Sequence, residues 1–214
     1  MAISSTFESR LVIGLGILLC ALFAGSLFVG SSPIPVLQAA RESLLDAPTV
    51  LGLIFAEIRL PRALIALFAG ASLGLCGAAI QGLLRNPLAS PGLIGSSSGA
   101  ALGAVVMLYF GLATLLPLAV PLGGMAGALL ATLLVYLLAG RESGSLTLIL
   151  AGVAINALCL ALISLLLNLA PSPYAVREIV LWMMGSIANH SMHDLWVMLP
   201  GVLLGWLSPV PYDR

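Results

Sequence analysis

Long runs without a charge alternate along this chain with short stretches that are polar, proline-rich or both. Residues 11–30, 63–84 and 146–170 are each apolar and uncharged. A helix needs roughly 20 such residues to cross the hydrocarbon core of a bilayer. Residues 93–140 carry no charge either, too long for one crossing and right for two, with Pro117, Pro121, Gly123 and Gly124 marking the break. A shorter run closes the chain. The pattern predicts helical spans at about residues 11–30, 63–84, 95–113, 122–139, 146–170 and 194–207. Residues 31–61 read as a loop with a helical part around 50–58, and 177–186 as a short helix near the surface. Barrel strands would alternate polar and apolar over about 10 residues; these runs do not. The expected fold is all-α, a polytopic transmembrane helical bundle, with residues 1–214 as one transmembrane domain. The first run exceeds the usual core of about 7–15 residues in a cleaved signal, so it reads as a retained span.

Composition sharpens this picture. Hydrophobic residues make up 61% of the chain and charged residues 7%, against about 25% charged in soluble domains. All eight basic residues are arginine and the net charge is zero, so nothing marks a nucleic-acid partner. Arginines 10, 85, 141 and 214 fall on one side of six spans and 41, 59, 62 and 177 on the other, so the positive-inside rule gives no orientation. Cys20, Cys76 and Cys159 lie apart in apolar runs and read as small hydrophobes.

Candidate chemistry is sparse. The stretch RNPLASPGLIGSSSGA, residues 85–100, places prolines, glycines and serines between two apolar runs. Gly70, Gly74, Ala78 and Gly82 recur every four residues, a small-residue stripe suited to close helix packing within the bundle or to a dimer seam. Gln81 and Asn156 are intramembrane amides, which need partners; they bond between helices or line a polar path. No ionisable residue lies mid-span, which argues against a proton relay or voltage sensor. His190 and His193 beside Asp194 read as a solvated loop rather than a metal site. Arg59 and Arg62 flank Pro61 at the start of the second span, either as interface anchors or as guanidinium forks for acidic groups on a partner. No H-E-x-x-H, G-x-S-x-G or Walker loop occurs. The chain is therefore not read as an enzyme, and no catalytic residue, metal or cofactor is assigned.

Several motifs follow one another in a telling order. They are Arg59-Leu60-Pro61-Arg62; Gly70-Ala71 and Gly74; Gln81; Arg85-Asn86-Pro87-Leu88-Ala89 with Pro91-Gly92 and Gly95; Gly99-Ala100; Leu150-Ala151-Gly152; and Trp182-Met183-Met184-Gly185-Ser186. The set resembles the FecCD-type permeases of ABC importers for iron-siderophores, haem or cobalamin, over roughly residues 10–205.

The resemblance implies a bacterial inner (cell) membrane permease, multi-pass and in contact with lipid, working as a homodimer or heterodimer. Its implied partners are cytoplasmic ATPase subunits, where ATP hydrolysis would reside, and an extracytoplasmic substrate-binding protein. About six of the family's ten spans would be present here. The implied cargo is first of all a ferric siderophore. By resemblance Asn86 and Leu88 are gate residues at the cytoplasmic end, with Ser143 and Ser145 at a second narrowing. Asn156 and Gln81 would line the path, and Arg59 and Arg62 would dock the binding protein. The family continues beyond the sixth span with an ATPase-docking segment and four more spans, which leaves a non-transporting truncated remnant as the alternative expectation.

Overall fold

A computed structural model describes residues 5–30, 34–45, 49–140, 144–188 and 190–208. Their elements are helices: α1 Ser5–Phe28, α2 Val36–Glu42, α3 Val50–Ile54, a π turn Phe55–Arg59, α4 Leu60–Leu84, a 3-10 turn Pro91–Ile94, α5 Ser96–Tyr109, α6 Leu112–Leu115, α7 Ala119–Ala139, α8 Ser145–Asn168, α9 Pro173–Met183 and α10 Met192–Leu207. Among the described residues, Glu8–Phe28, Val50–Leu84, Ala119–Ala139 and Ser145–Asn168 are long and apolar enough to cross a membrane. Ser96–Tyr109 and Met192–Leu207 are apolar but shorter. Helices prevail because lipid offers no hydrogen bonds, so each segment must satisfy its own backbone. The protein is an all-α, polytopic membrane protein.

The chain divides into two units. The first comprises Met1–Ser72 and Ile187–Arg214. Here α2 and α3 pack so closely that a Cβ on Gly52 would lie 2.8 Å from the backbone of Glu42 and Ser43. Val36, Ala39 and Phe55 form a small core, flanked by Leu27, Ile34, Ala40, Leu51 and Leu60. Thr49 caps α3, its hydroxyl accepting from the Gly52 N–H at 3.3 Å and donating to the Glu42 carboxylate. The helix expected to begin at residue 63 in fact runs unbroken from Val50. It passes Pro61 by widening one turn, with the Leu60 N–H donating to the Phe55 carbonyl five residues back. Proline lacks an N–H and crowds the carbonyl four residues earlier; a π turn just before it relieves that conflict. In the same unit Trp206 of α10 stacks obliquely on Phe68 at 5.9 Å and donates to the Ser72 hydroxyl at 3.2 Å. The histidine and aspartate near residue 190 serve the start of α10. Ser191 and Asp194 form a capping box, and His190 Nδ1 lies 3.3 Å from the Asp194 carboxylate.

The second unit, Leu73–Ser186, is built on glycine contacts. Helices α5 and α7 meet backbone to backbone: a Cβ on Gly103 would lie 2.0 Å from the Gly123 carbonyl, and one on Gly127 2.1 Å from the Gly99 carbonyl. Helix α8 packs on both, burying Ala131, Val135, Ile155 and Cys159 in one cluster and Val105, Leu108, Ile163 and Ile179 in another. The short helix expected at 177–186 begins earlier, at Pro173, because Ser172 caps it by accepting from the Ala175 N–H and proline suits a first turn. The small-residue stripe of α4 plays no part in this packing: Gly70, Gly74, Gly77 and Gly82 have nothing within 4 Å of their Cβ directions.

Candidate functional site

The stretch between α4 and α5 is a compact turn held by several hydrogen bonds. Helix α4 ends as a Schellman motif, the Asn86 N–H donating to the Gln81 carbonyl at 3.1 Å and the Arg85 N–H to Gly82 at 3.2 Å. The left-handed residue that such an end requires is Arg85, with φ 48°, the one non-glycine residue at positive φ among those described. Asn86 then closes an Asx turn, its Oδ1 accepting from the Leu88 N–H at 2.9 Å. The Gln81 side-chain amide donates to the Ala89 carbonyl at 3.3 Å, and Ala89 is buried. With its neighbours bonded back to the helix end, Leu88 is pushed outward and is 84% exposed.

Beyond Pro91 the chain makes one 3-10 turn and reverses at Gly95, φ 76°. That glycine lies on α8: a Cβ there would sit 3.2 Å from Ile155 Cγ2 and 3.4 Å from the Asn156 backbone nitrogen. The Gly95 carbonyl accepts from the buried Ser98 hydroxyl at 2.9 Å, joining the turn to α5.

The structure thus brings Gln81, Asn86 and Leu88 into one turn, and places Asn156, half-buried, on the helix against which that turn rests. Gln81 bonds to the turn through its side-chain amide. Ser145 opens α8 and is exposed. Ser143 lies outside the described residues.

The arginine pair, in the first unit, is split in character. Arg59 is 8% exposed, and its Nη1 donates to the Leu27 carbonyl at the end of α1 at 2.8 Å. A Cβ on Gly30 would lie 2.8 Å from Arg59 Nη2. Arg62, three residues on, is exposed. Arg59 therefore ties two segments together, and Arg62 is the one of the pair that faces outward. Sequence reading treats the two alike because burial is invisible in it; the signal was Gly30, the small residue that admits a guanidinium.

The chain is similar to known transport proteins. The model of the FecCD transport family matches residues 18–210. The vitamin B12 import system permease protein BtuC of Salmonella paratyphi A is 39% identical over 143 residues, covering 67% of this chain and 44% of that protein. The hemin transport system permease protein HmuU of Yersinia pestis is 36% identical over 211 residues, covering 94% of this chain and 62% of that protein. A solved inward-facing structure of a metal-chelate type ABC transporter superposes with a TM-score of 0.75 at 32% identity, over 92% of this chain and 58% of that one. The chain spans about half the length of the curated relatives it matches.

Proposed function

The chain belongs to the FecCD transport family, and from that premise we propose that it forms part of the membrane permease of a binding-protein-dependent ABC importer for a metal chelate. The observation that carries this is the turn at residues 85–95, a segment that breaks the α-helix between two apolar helices and presents Leu88 outward. Irregular backbone at membrane depth is tolerated where protein buries it or where it lines a cavity. Here its polar groups are taken up by Gln81, Asn86 and Ser98, leaving an apolar tip. A narrow apolar constriction held by bonded backbone suits a gate that closes on water and ions yet yields to a large cargo.

In this reading the gate alternates between open and closed states, and ATP binding by separate subunits shifts the balance between them. The permease is a dimer in the bacterial inner membrane. Arg62 offers a guanidinium to acidic groups on the binding protein, with Arg59 fixing the end of α1 beside it. Asn86 and Leu88 form the gate, and Asn156 lines the path. Ser143 and Ser145 form a second narrowing in this reading.

The named relatives carry vitamin B12 and hemin, so the cargo class proposed is a metal-centred chelate or macrocycle, with ferric siderophore as its first candidate. The test is uptake by cells whose own permease is deleted, supplied with this protein, its ATPase and its binding protein. Each cargo is offered in turn as labelled vitamin B12, haem or ferric siderophore. Accumulation of one cargo that requires the binding protein supports the reading, and accumulation of none overturns it.

A further inference from the structure

The gate turn is attached to two helices in very different ways. Its attachment to α4 is by hydrogen bonds to the last turn of one helix: the Asn86 and Arg85 N–H groups bond to the Gln81 and Gly82 carbonyls, the Gln81 side chain reaches Ala89 at 3.3 Å, and Arg85 is held in a left-handed conformation. A non-glycine residue there costs on the order of 1 kcal/mol. Its attachment to α8 is backbone on backbone and runs both ways. A Cβ on Gly152 would lie 2.1 Å from the Leu93 carbonyl oxygen and 3.0 Å from Ile94 Cα. A Cβ on Gly95 would meet the Gly152 carbonyl at 3.3 Å and Ile155 Cγ2 at 3.2 Å. Between those two contacts Ile94 packs on the buried cluster of Ala131, Val135, Ile155 and Cys159. The open glycines of the same unit show the contrast: Gly140 and Gly144, at the ends of α7 and α8, meet nothing within 4 Å.

We propose that Gly152 is the positioning residue of the gate: it lets α8 take the backbone of residues 93–95 into direct contact, so that the Leu88 turn follows α8 rather than α4. The chain from seat to tip is short and stiff. Residues 91–94 form a 3-10 turn, Ala89 is buried, and the Asx turn of Asn86 fixes Leu88. A tilt or rotation of α8 therefore moves the gate through a backbone-to-backbone seat, whereas a change in α4 reaches it through the hydrogen-bonded helix end with its left-handed Arg85. The inference rests on the reading of residues 85–95 as the gate.

The experiment uses the assembled transporter in inside-out vesicles, with Cys20→Ala and Cys76→Ala to remove the exposed thiols and Leu88→Cys as reporter. The labelling rate at position 88 with a membrane-impermeant maleimide is read with and without ATP. Gly152→Ala forces the Leu93 carbonyl off its seat and is expected to change the rate by about tenfold, the factor set by roughly 1.4 kcal/mol, and to blunt its response to ATP. Gly144→Ala, which fills open space, is expected to leave both unchanged. Ile94→Ala keeps the backbone and trims the packing, and is expected to shift the rate in the same direction by less. Should Gly152→Ala fail to fold, Ile94→Ala decides. An ATP-dependent rate that neither variant alters overturns the proposal, as does a loss of thermal stability with the ATP response intact. A parent rate indifferent to ATP that still shifts with Gly152→Ala instead rejects the gate reading and leaves the seat standing.

Discussion

At the scale of single residues, the arginine pair separates two kinds of work that look identical in sequence. Arg59 is buried and bonded to the end of α1, so Arg59→Gln removes a charged hydrogen bond and should cost about 1.5–3 kcal/mol, read as a lower melting temperature in detergent. Arg62→Glu should leave that temperature unchanged and weaken binding-protein association at least about tenfold, as expected for the loss of an interfacial charge contact. Equal effects of the two variants on association would contradict the division. Glu42 adds a pH dependence: the Thr49 hydroxyl and then the Gln38 amide hold its carboxyl below the ordinary carboxylate range. The stabilisation is present above the unfolded carboxylate pKa and is lost as pH falls through the lower folded one. Hydrogen exchange in α2 and α3 should therefore quicken on acidification, and Thr49→Ala should flatten the change. Arg85→Gly relieves the left-handed strain and should raise the melting temperature slightly, the gain being at most about 1 kcal/mol.

At the scale of elements, the order and kind of helices were legible, while their ends and contacts were less so. Apolar runs near 20 residues announce spans because the bilayer demands them, and α7 and α8 lie close to where that pattern puts them. The start of the second long helix was misread because Pro61 looks like a boundary, and a π turn that carries a helix across a proline leaves no hydrophobic signature. The turn at 85–95 was legible as a helix break, and its prolines and glycines named it. Its seat was not. Gly152 stood in a recognisable motif without a role, since a close backbone approach is a property of two segments and sequence shows one at a time. The small-residue stripe of α4 was read as close packing or a dimer seam; Gly70, Gly74 and Gly82 make no close contact within this chain, whereas Gly99, Gly103, Gly123 and Gly127 join α5 to α7 backbone to backbone. These two sets should respond oppositely to one methyl group. Gly103→Ala drives a Cβ to 2.0 Å from the Gly123 carbonyl and should destabilise by about 1–3 kcal/mol. Gly74→Ala enters open space and should be neutral or stabilise by up to about 1 kcal/mol through helix propensity. Thermal melts of the two variants in the same detergent check the contrast.

At the scale of the whole molecule, family membership and the all-α membrane architecture stand on the match over residues 18–210 and on the superposed transporter. Cargo is less legible in residues: in the proposed reading, Leu88, Asn86 and Gln81 carry no charge that would select a haem over a cobalamin or a siderophore. The proposed gating by the Leu88 turn is tested by ATP-driven cargo uptake into vesicles holding the assembled transporter with Leu88→Cys, Cys20→Ala and Cys76→Ala. Uptake is measured before and after a bulky methanethiosulfonate reagent is attached at position 88, and again after dithiothreitol removes it. If the turn gates the path, uptake falls to background on modification and recovers on reduction. Uptake that continues unchanged with position 88 fully modified would contradict it.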